Sequence, residues 1–177
     1  MPLRRHSRGD DHGRLSGHRL GELGTPGNLS GLGGLALARD GRRAAVGRVD
    51  EVQSDADIWL YDVVRGTETR LARQGSDESD PIFARDGSAL YFGSAGDAGA
   101  ALVRRDLASG KETTLFSPKG SYNLGPMSLS PDGTGITCDD RNRQAYSDVV
   151  LRQLDGKGEA KVLVGTPGDD SYGQISP

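Results

Sequence analysis

Asp40-Gly41, Asp86-Gly87 and Asp132-Gly133 recur at an interval of 46 residues. Each pair stands between two short runs that contain apolar residues. Leu35-Ala-Leu-Ala-Arg39, Pro81-Ile-Phe-Ala-Arg85 and Met127-Ser-Leu-Ser-Pro131 precede them. Ala44-Ala-Val46, Ala89-Leu-Tyr-Phe92 and Gly135-Ile-Thr137 follow. Asp-Gly between two such runs is a strong hairpin signal, because both residues tolerate a positive φ.

The second half of each interval repeats as well. Asp62-Val-Val-Arg-Gly-Thr-Glu-Thr-Arg-Leu71 aligns with Asp106-Leu-Ala-Ser-Gly-Lys-Glu-Thr-Thr-Leu115, and five of the ten positions are identical. Leu151-Arg-Gln-Leu-Asp-Gly156 followed by Glu159 to Val164 is a looser third copy. Strand-like runs lead into the turns: Ile58-Trp-Leu-Tyr61, Ala101-Leu-Val-Arg104 and Asp148-Val-Val-Leu151. One repeat therefore reads as four short strands joined by three turns. Asp62 and Asp106, four residues before Gly66 and Gly110, are expected to cap their turns through side-chain bonds to backbone N–H groups. No segment sustains a helical period, and 27 glycines in 177 residues argue against a helical bundle.

A period near 46 with four strands in each unit is the mark of a β-propeller blade. The expectation is an all-β chain: a partial β-propeller of about three four-stranded antiparallel blades plus fragments of two more. The divisions read as a disordered basic head over 1–18, the outer strand of an incomplete blade with a linker over 19–34, and blades over 35–79, 80–125 and 126–168. Residues 169–177 read as the start of a next blade. Gly24-Thr-Pro-Gly27 matches Gly165-Thr-Pro-Gly168, and Gln174-Ile-Ser-Pro177 resembles the run into Asp132. The chain thus reads as a stretch of a longer array.

Ser130-Pro-Asp-Gly133 and Asp57-Ile-Trp-Leu-Tyr-Asp62, with Gly66 and Arg70-Leu71 after it, resemble the TolB-type, WD-repeat-like propeller blade. The resemblance covers about residues 19–177. Arg39 and Arg85 stand where the pattern has Pro, and the turn near Gln153 is degenerate. The resemblance implies that the strand before each Asp-Gly lines a central channel and that the strand after the turn of Leu71, Leu115 or Leu163 is the outer edge. Similar arrays occur in TolB-like proteins and attached to bacterial serine/threonine kinases. The resemblance also favours a periplasmic or other extracytoplasmic location.

Composition removes several function classes. Lys+Arg is 22 and Asp+Glu is 25, a net charge of −3, which argues against a general nucleic-acid binder. No run approaches the ~20 apolar residues of a membrane span. Cys138 is the single cysteine, so no intrachain disulfide or Cys-rich zinc site is available. His6, His12 and His18 all lie in the polar head, which removes a Ser-His-Asp or Cys-His arrangement within the repeats. Gly31-Leu-Gly-Gly34 and the run Gly93 to Gly99 lack the following helix of a phosphate loop and read as linkers between strands. No metal and no cofactor are expected.

Loops gather on one face of a propeller. Those over 50–57, 95–100, 139–146, 74–80, 120–126 and 165–172 together carry −10, against −3 for the chain. Asp55, Asp57, Asp77, Glu78, Asp80, Asp139, Asp140, Asp169 and Asp170 are thus candidates for an acidic binding face suited to a cationic protein or peptide partner. The functional expectation is a non-catalytic binding or scaffold propeller, open to self-association through its end faces. The alternative is the substrate-gating propeller of a prolyl-oligopeptidase-like serine peptidase. The nucleophile elbow Gly-x-Ser-x-Gly of that enzyme does not occur here, nor do kinase motifs.

Overall fold

The computed structural model describes residues 34–49, 56–71, 75–142 and 146–176. The expected head, most of the 19–34 segment and Pro177 lie outside the described residues. Among the described residues the only regular elements are twelve strands, in three four-stranded antiparallel sheets. The first sheet holds β1 (Leu35–Leu37), β2 (Arg43–Val49), β3 (Ala56–Asp62) and β4 (Thr67–Leu71). The second holds β5 (Ser76–Phe83), β6 (Ala89–Gly96), β7 (Gly99–Asp106) and β8 (Glu112–Phe116). The third holds β9 (Ser121–Leu129), β10 (Gly135–Asn142), β11 (Ser147–Gln153) and β12 (Lys161–Val164). Each sheet is a meander whose strands pair in chain order.

The turns follow from local chemistry. At each Asp-Gly pair only the glycine is left-handed: Gly41, Gly87 and Gly133 have φ of 68°, 69° and 73°. The aspartates, which tolerate a positive φ, do not use one. Asp40, Asp86 and Asp132 instead accept the backbone N–H of Arg42, Ser88 and Thr134 at 2.9, 2.9 and 3.0 Å. Asp62 accepts from Val64 and Arg65 at 3.0 and 2.9 Å, and Asp106 from Ser109 at 2.8 Å, which is the expected capping.

Two layers of apolar side chains join the sheets. Ala38, Ala45, Ile58 and Leu71 of the first sheet pack on Phe83, Leu90, Phe92 and Val103 of the second. Tyr91, Ala100, Leu102 and Phe116 of the second pack on Leu124, Ile136, Cys138 and Val150 of the third. The second sheet is therefore apolar on both faces, as a strand buried on both sides requires. Arg43 stacks over Phe83 at 5.6 Å, and Arg152 over Phe116 at 5.1 Å, so each junction also carries a guanidinium on an aromatic ring. Gly93 lets the second and third sheets approach closely, because a methyl group there would meet the Leu124 carbonyl oxygen at 2.5 Å.

The strands run further than the sequence reading placed them. β5 begins at Ser76 and β9 at Ser121, so the divisions drawn at 79/80 and 125/126 fall inside strands. Gly93 to Gly99 is likewise strand, apart from the turn at Asp97-Ala98. After β12 the chain crosses the outer face of the third sheet without forming a strand. There the Thr137 hydroxyl donates to the Gly173 carbonyl at 2.7 Å, and Ile175 N–H donates to Ser128 Oγ at 3.2 Å.

Candidate ligand-binding groove

The nine acidic candidates do not form one exposed loop face. Asp55 lies outside the described residues. Asp57, Asp77, Glu78, Asp80, Asp139 and Asp140 sit on strands rather than loops. Asp57 is only 1% exposed and accepts from Arg70 Nε at 2.7 Å. Glu78 is fully buried and accepts the Ser76 hydroxyl at 2.7 Å. Asp140 accepts the Ser121 hydroxyl and faces Arg152 at 3.9 Å. Asp170 accepts Thr166 N–H at 2.7 Å.

Two of the carboxylates join neighbouring parts of the chain. Asp77, on the first strand of the second sheet, accepts Ala56 N–H at the start of β3, at 2.9 Å. Asp169, two periods later in sequence, accepts Ser147 N–H at the start of β11, at 3.0 Å. Here charge in the sequence marks a backbone donor that needs a partner, not an open acidic surface.

Asp80 is different. It begins the inner stretch of β5 with a left-handed φ of 52°, beside a register shift in the β5–β6 ladder. Such a conformation in a residue other than Gly is sparsely populated and costs on the order of 1–3 kcal/mol. Its carboxylate sits between glycines of two other sheets or their flanks. A methyl on Gly125 would come within 2.7 Å of Oδ2, and one on Gly34 within 3.2 Å of Oδ1. Burial raises the Asp80 pKa, opposed by a hydrogen bond from Ser79, and the neighbouring Asp139 charge raises it further. Asp139 is itself raised by burial, although Tyr172 and Gly173 donate backbone N–H groups to it.

Asp80 opens onto a groove of about 540 Å³ along the inner strands β1, β5 and β9. That volume lies within the roughly 300–1,000 Å³ of small-ligand sites. Its walls are apolar: Leu35, Leu37, Ile82, Ala84, Met127 and Leu129. Leu35 and Leu37 are 75% and 64% exposed, on the face of β1 opposite the Ala36 and Ala38 side that packs on the second sheet. Arg39 and Arg85 line the Asp-Gly end, and Asp80 and Tyr172 line the other. The groove is thus oily in the middle and oppositely charged at its ends.

Sequence reasoning treated Arg39 and Arg85 only as departures from a Pro-containing pattern. Their recurrence 46 residues apart, one residue before Asp-Gly, was the signal that could have placed both at one end of the inner strands. Among the described residues, no group of three or more His, Cys, Asp or Glu could hold a metal ion. Among the described residues no helix is long and apolar enough to cross a membrane.

No protein-family model matches the chain, and no curated protein matches it in sequence. Solved structures do match in three dimensions. TolB from Acinetobacter baumannii superposes with a TM-score of 0.64 at 23% identity, over 77% of this chain and 33% of that one. A putative TolB from Agrobacterium tumefaciens gives 0.64 at 18%, over 77% and 53%. A prolyl endopeptidase gives 0.57 at 18%, over 76% and 22%. The chain spans between a third and about half of the TolB chains it matches. Three antiparallel four-stranded sheets, stacked face to face on a 46-residue period, have the fold of a partial TolB-type β-propeller.

Proposed function

We propose that this chain is a non-catalytic binding module that takes an extended peptide segment along the groove of its inner strands. The groove itself carries the reading: apolar walls on three rigid strands, with charged groups only at its ends. Such a surface suits recognition, where a fixed scaffold holds a few oriented polar groups around an apolar body. The absence of His from the repeats and of a nucleophile elbow from the sequence supports a role without turnover.

A second reading is favoured by the likeness to a prolyl endopeptidase: a propeller that gates substrate for a separate catalytic domain. Both readings use the same groove. The test is nuclear magnetic resonance titration of the full chain with short apolar peptides. Selective shifts of the Leu37, Ile82 and Met127 amides, abolished by Met127→Trp, support the reading. Shifts confined to other surfaces overturn it, and peptide hydrolysis by the purified chain overturns its non-catalytic character.

A further inference from the structure

The geometry points to a ligand of defined polarity: an apolar tripeptide-sized segment with free ends, its amino terminus at Asp80 and its carboxylate at Arg39 and Arg85. This inference rests on the groove being the binding site and adds the chemical class and direction of what it holds.

Charge complementarity carries the argument. Asp80, on β5, and Arg85, at the turn beyond it, are five residues apart, at most about 16 Å at ~3.3 Å per extended residue. A span of that order holds about three extended residues with their end groups. Arg39 occupies the same repeat position as Arg85, so the two guanidinium groups come from neighbouring sheets at one level. Two guanidinium groups suit a carboxylate, which they can bind in a forked geometry. Arg85 already donates its Nε to the Ser130 carbonyl at 3.0 Å, a bond that fixes the side chain across the junction with the third sheet.

At the other end, Asp80 is a carboxylate in a confined, partly desolvated place. Its two oxygens lie against Gly34 and Gly125, positions that carry no side chain. A carboxylate so placed gains most from a compact cationic donor, and an α-ammonium is one. Between the poles, Leu35, Leu37, Ile82, Met127 and Leu129 offer apolar side chains. An unblocked apolar peptide matches all three zones. A cationic side chain in mid-peptide would meet no counter-charge there.

Calorimetric titration with trileucine, N-acetyl-trileucine and trileucine amide tests the inference. Each peptide is measured against the full chain, Asp80→Asn and Arg39→Gln/Arg85→Gln. Asn tolerates the left-handed backbone at position 80, so that variant keeps its fold. Acetylation is expected to weaken binding at least tenfold to the natural chain and less than twofold to Asp80→Asn. Amidation is expected to do the same for the natural chain and the double Arg variant. The blocked peptides keep the test valid if the double variant folds poorly. If all three peptides bind the natural chain equally while shifting the Leu37, Ile82 and Met127 amides, the polarity is overturned and the groove reading stands. If none of the three shifts those amides, both are overturned.

Discussion

Tyr172 donates its backbone N–H to both oxygens of the Asp139 carboxylate, at 3.1 and 3.0 Å. The bond ties the segment after β12 to the outer face of the third sheet. Tyr172 also stands two 46-residue periods after Asp80 and shares its left-handed backbone, with φ of 61°. The segment thus repeats at Tyr172 the backbone turn that Asp80 makes within β5. Hydrogen exchange is expected to show slow Tyr172 and Ile175 amides. Asp139→Ala should speed the Tyr172 amide at least tenfold and leave the β6 amides unchanged, and equal rates in both proteins would count against this anchoring.

Gly93→Ala is expected to destabilise the chain by about 1–3 kcal/mol, the usual cost of overpacking. The added methyl would meet backbone, the Leu124 carbonyl at 2.5 Å, which cannot swing aside. Urea unfolding should show a lower midpoint. Gly41→Asn is the control: nothing lies near a side chain there, and Asn accepts the positive φ.

These glycines show where sequence is legible. A hairpin glycine advertises itself through its partner aspartate and its period, so the three turns and the four-strand unit could be read directly. Gly93 could not, because its constraint is an oxygen on another sheet, 31 residues along the chain. The acidic residues were misplaced for a related reason. Asp57 looked like a loop charge until Arg70 was seen opposite it, and Asp77 until Ala56 was seen to need an acceptor. Charge pattern reports what a side chain carries, and only the fold reports what neutralises it.

The Asp57–Arg70 pair should respond asymmetrically. Asp57 is buried, whereas the Arg70 side chain is 31% exposed. Arg70→Met leaves a carboxylate in an apolar setting and is expected to cost about 1–3 kcal/mol, less than the ~3–5 kcal/mol of a fully buried pair because solvent screens the arginine end. Replacing both, as Asp57→Leu/Arg70→Met, should recover part of that loss. A double variant no more stable than Arg70→Met in denaturant titration would refute the buried-charge explanation.

Acid should act on Asp132 and Asp80 with opposite signs. Hydrogen bonds from Ser130, then from Thr134, lower the Asp132 pKa to about 2. Its stabilisation is present above the unfolded-state pKa of ~3.9 and is lost as pH falls toward 2. The Tm deficit of Asp132→Asn should therefore be full from about pH 5 upward and shrink away as pH falls through about 2. Asp80 is raised by burial, so its contribution is full below the unfolded pKa and is lost as pH rises through the folded one. Asp80→Asn should match the natural chain at pH 3 and exceed its Tm at pH 7.

Cys138 is fully buried, and burial pushes its thiol pKa up to about 12. Reaction with a thiol-specific disulfide reagent is expected only through opening of the junction between the second and third sheets. Its rate should rise with sub-denaturing urea. Stoichiometric labelling of the native chain within seconds would show that this junction is not closed.

Among the described residues, the first and third sheets make no strand-to-strand contact with each other, and the second touches both. Asp80, set between Gly34 and Gly125, is a side chain that meets both flanks. Cooperativity must then pass through a single keystone layer, in the manner of a nearest-neighbour chain. Fraying is free to begin at either terminal sheet without warning the other. Any cargo wedged against Asp80 would act as a clamp that makes two independent melting events into one.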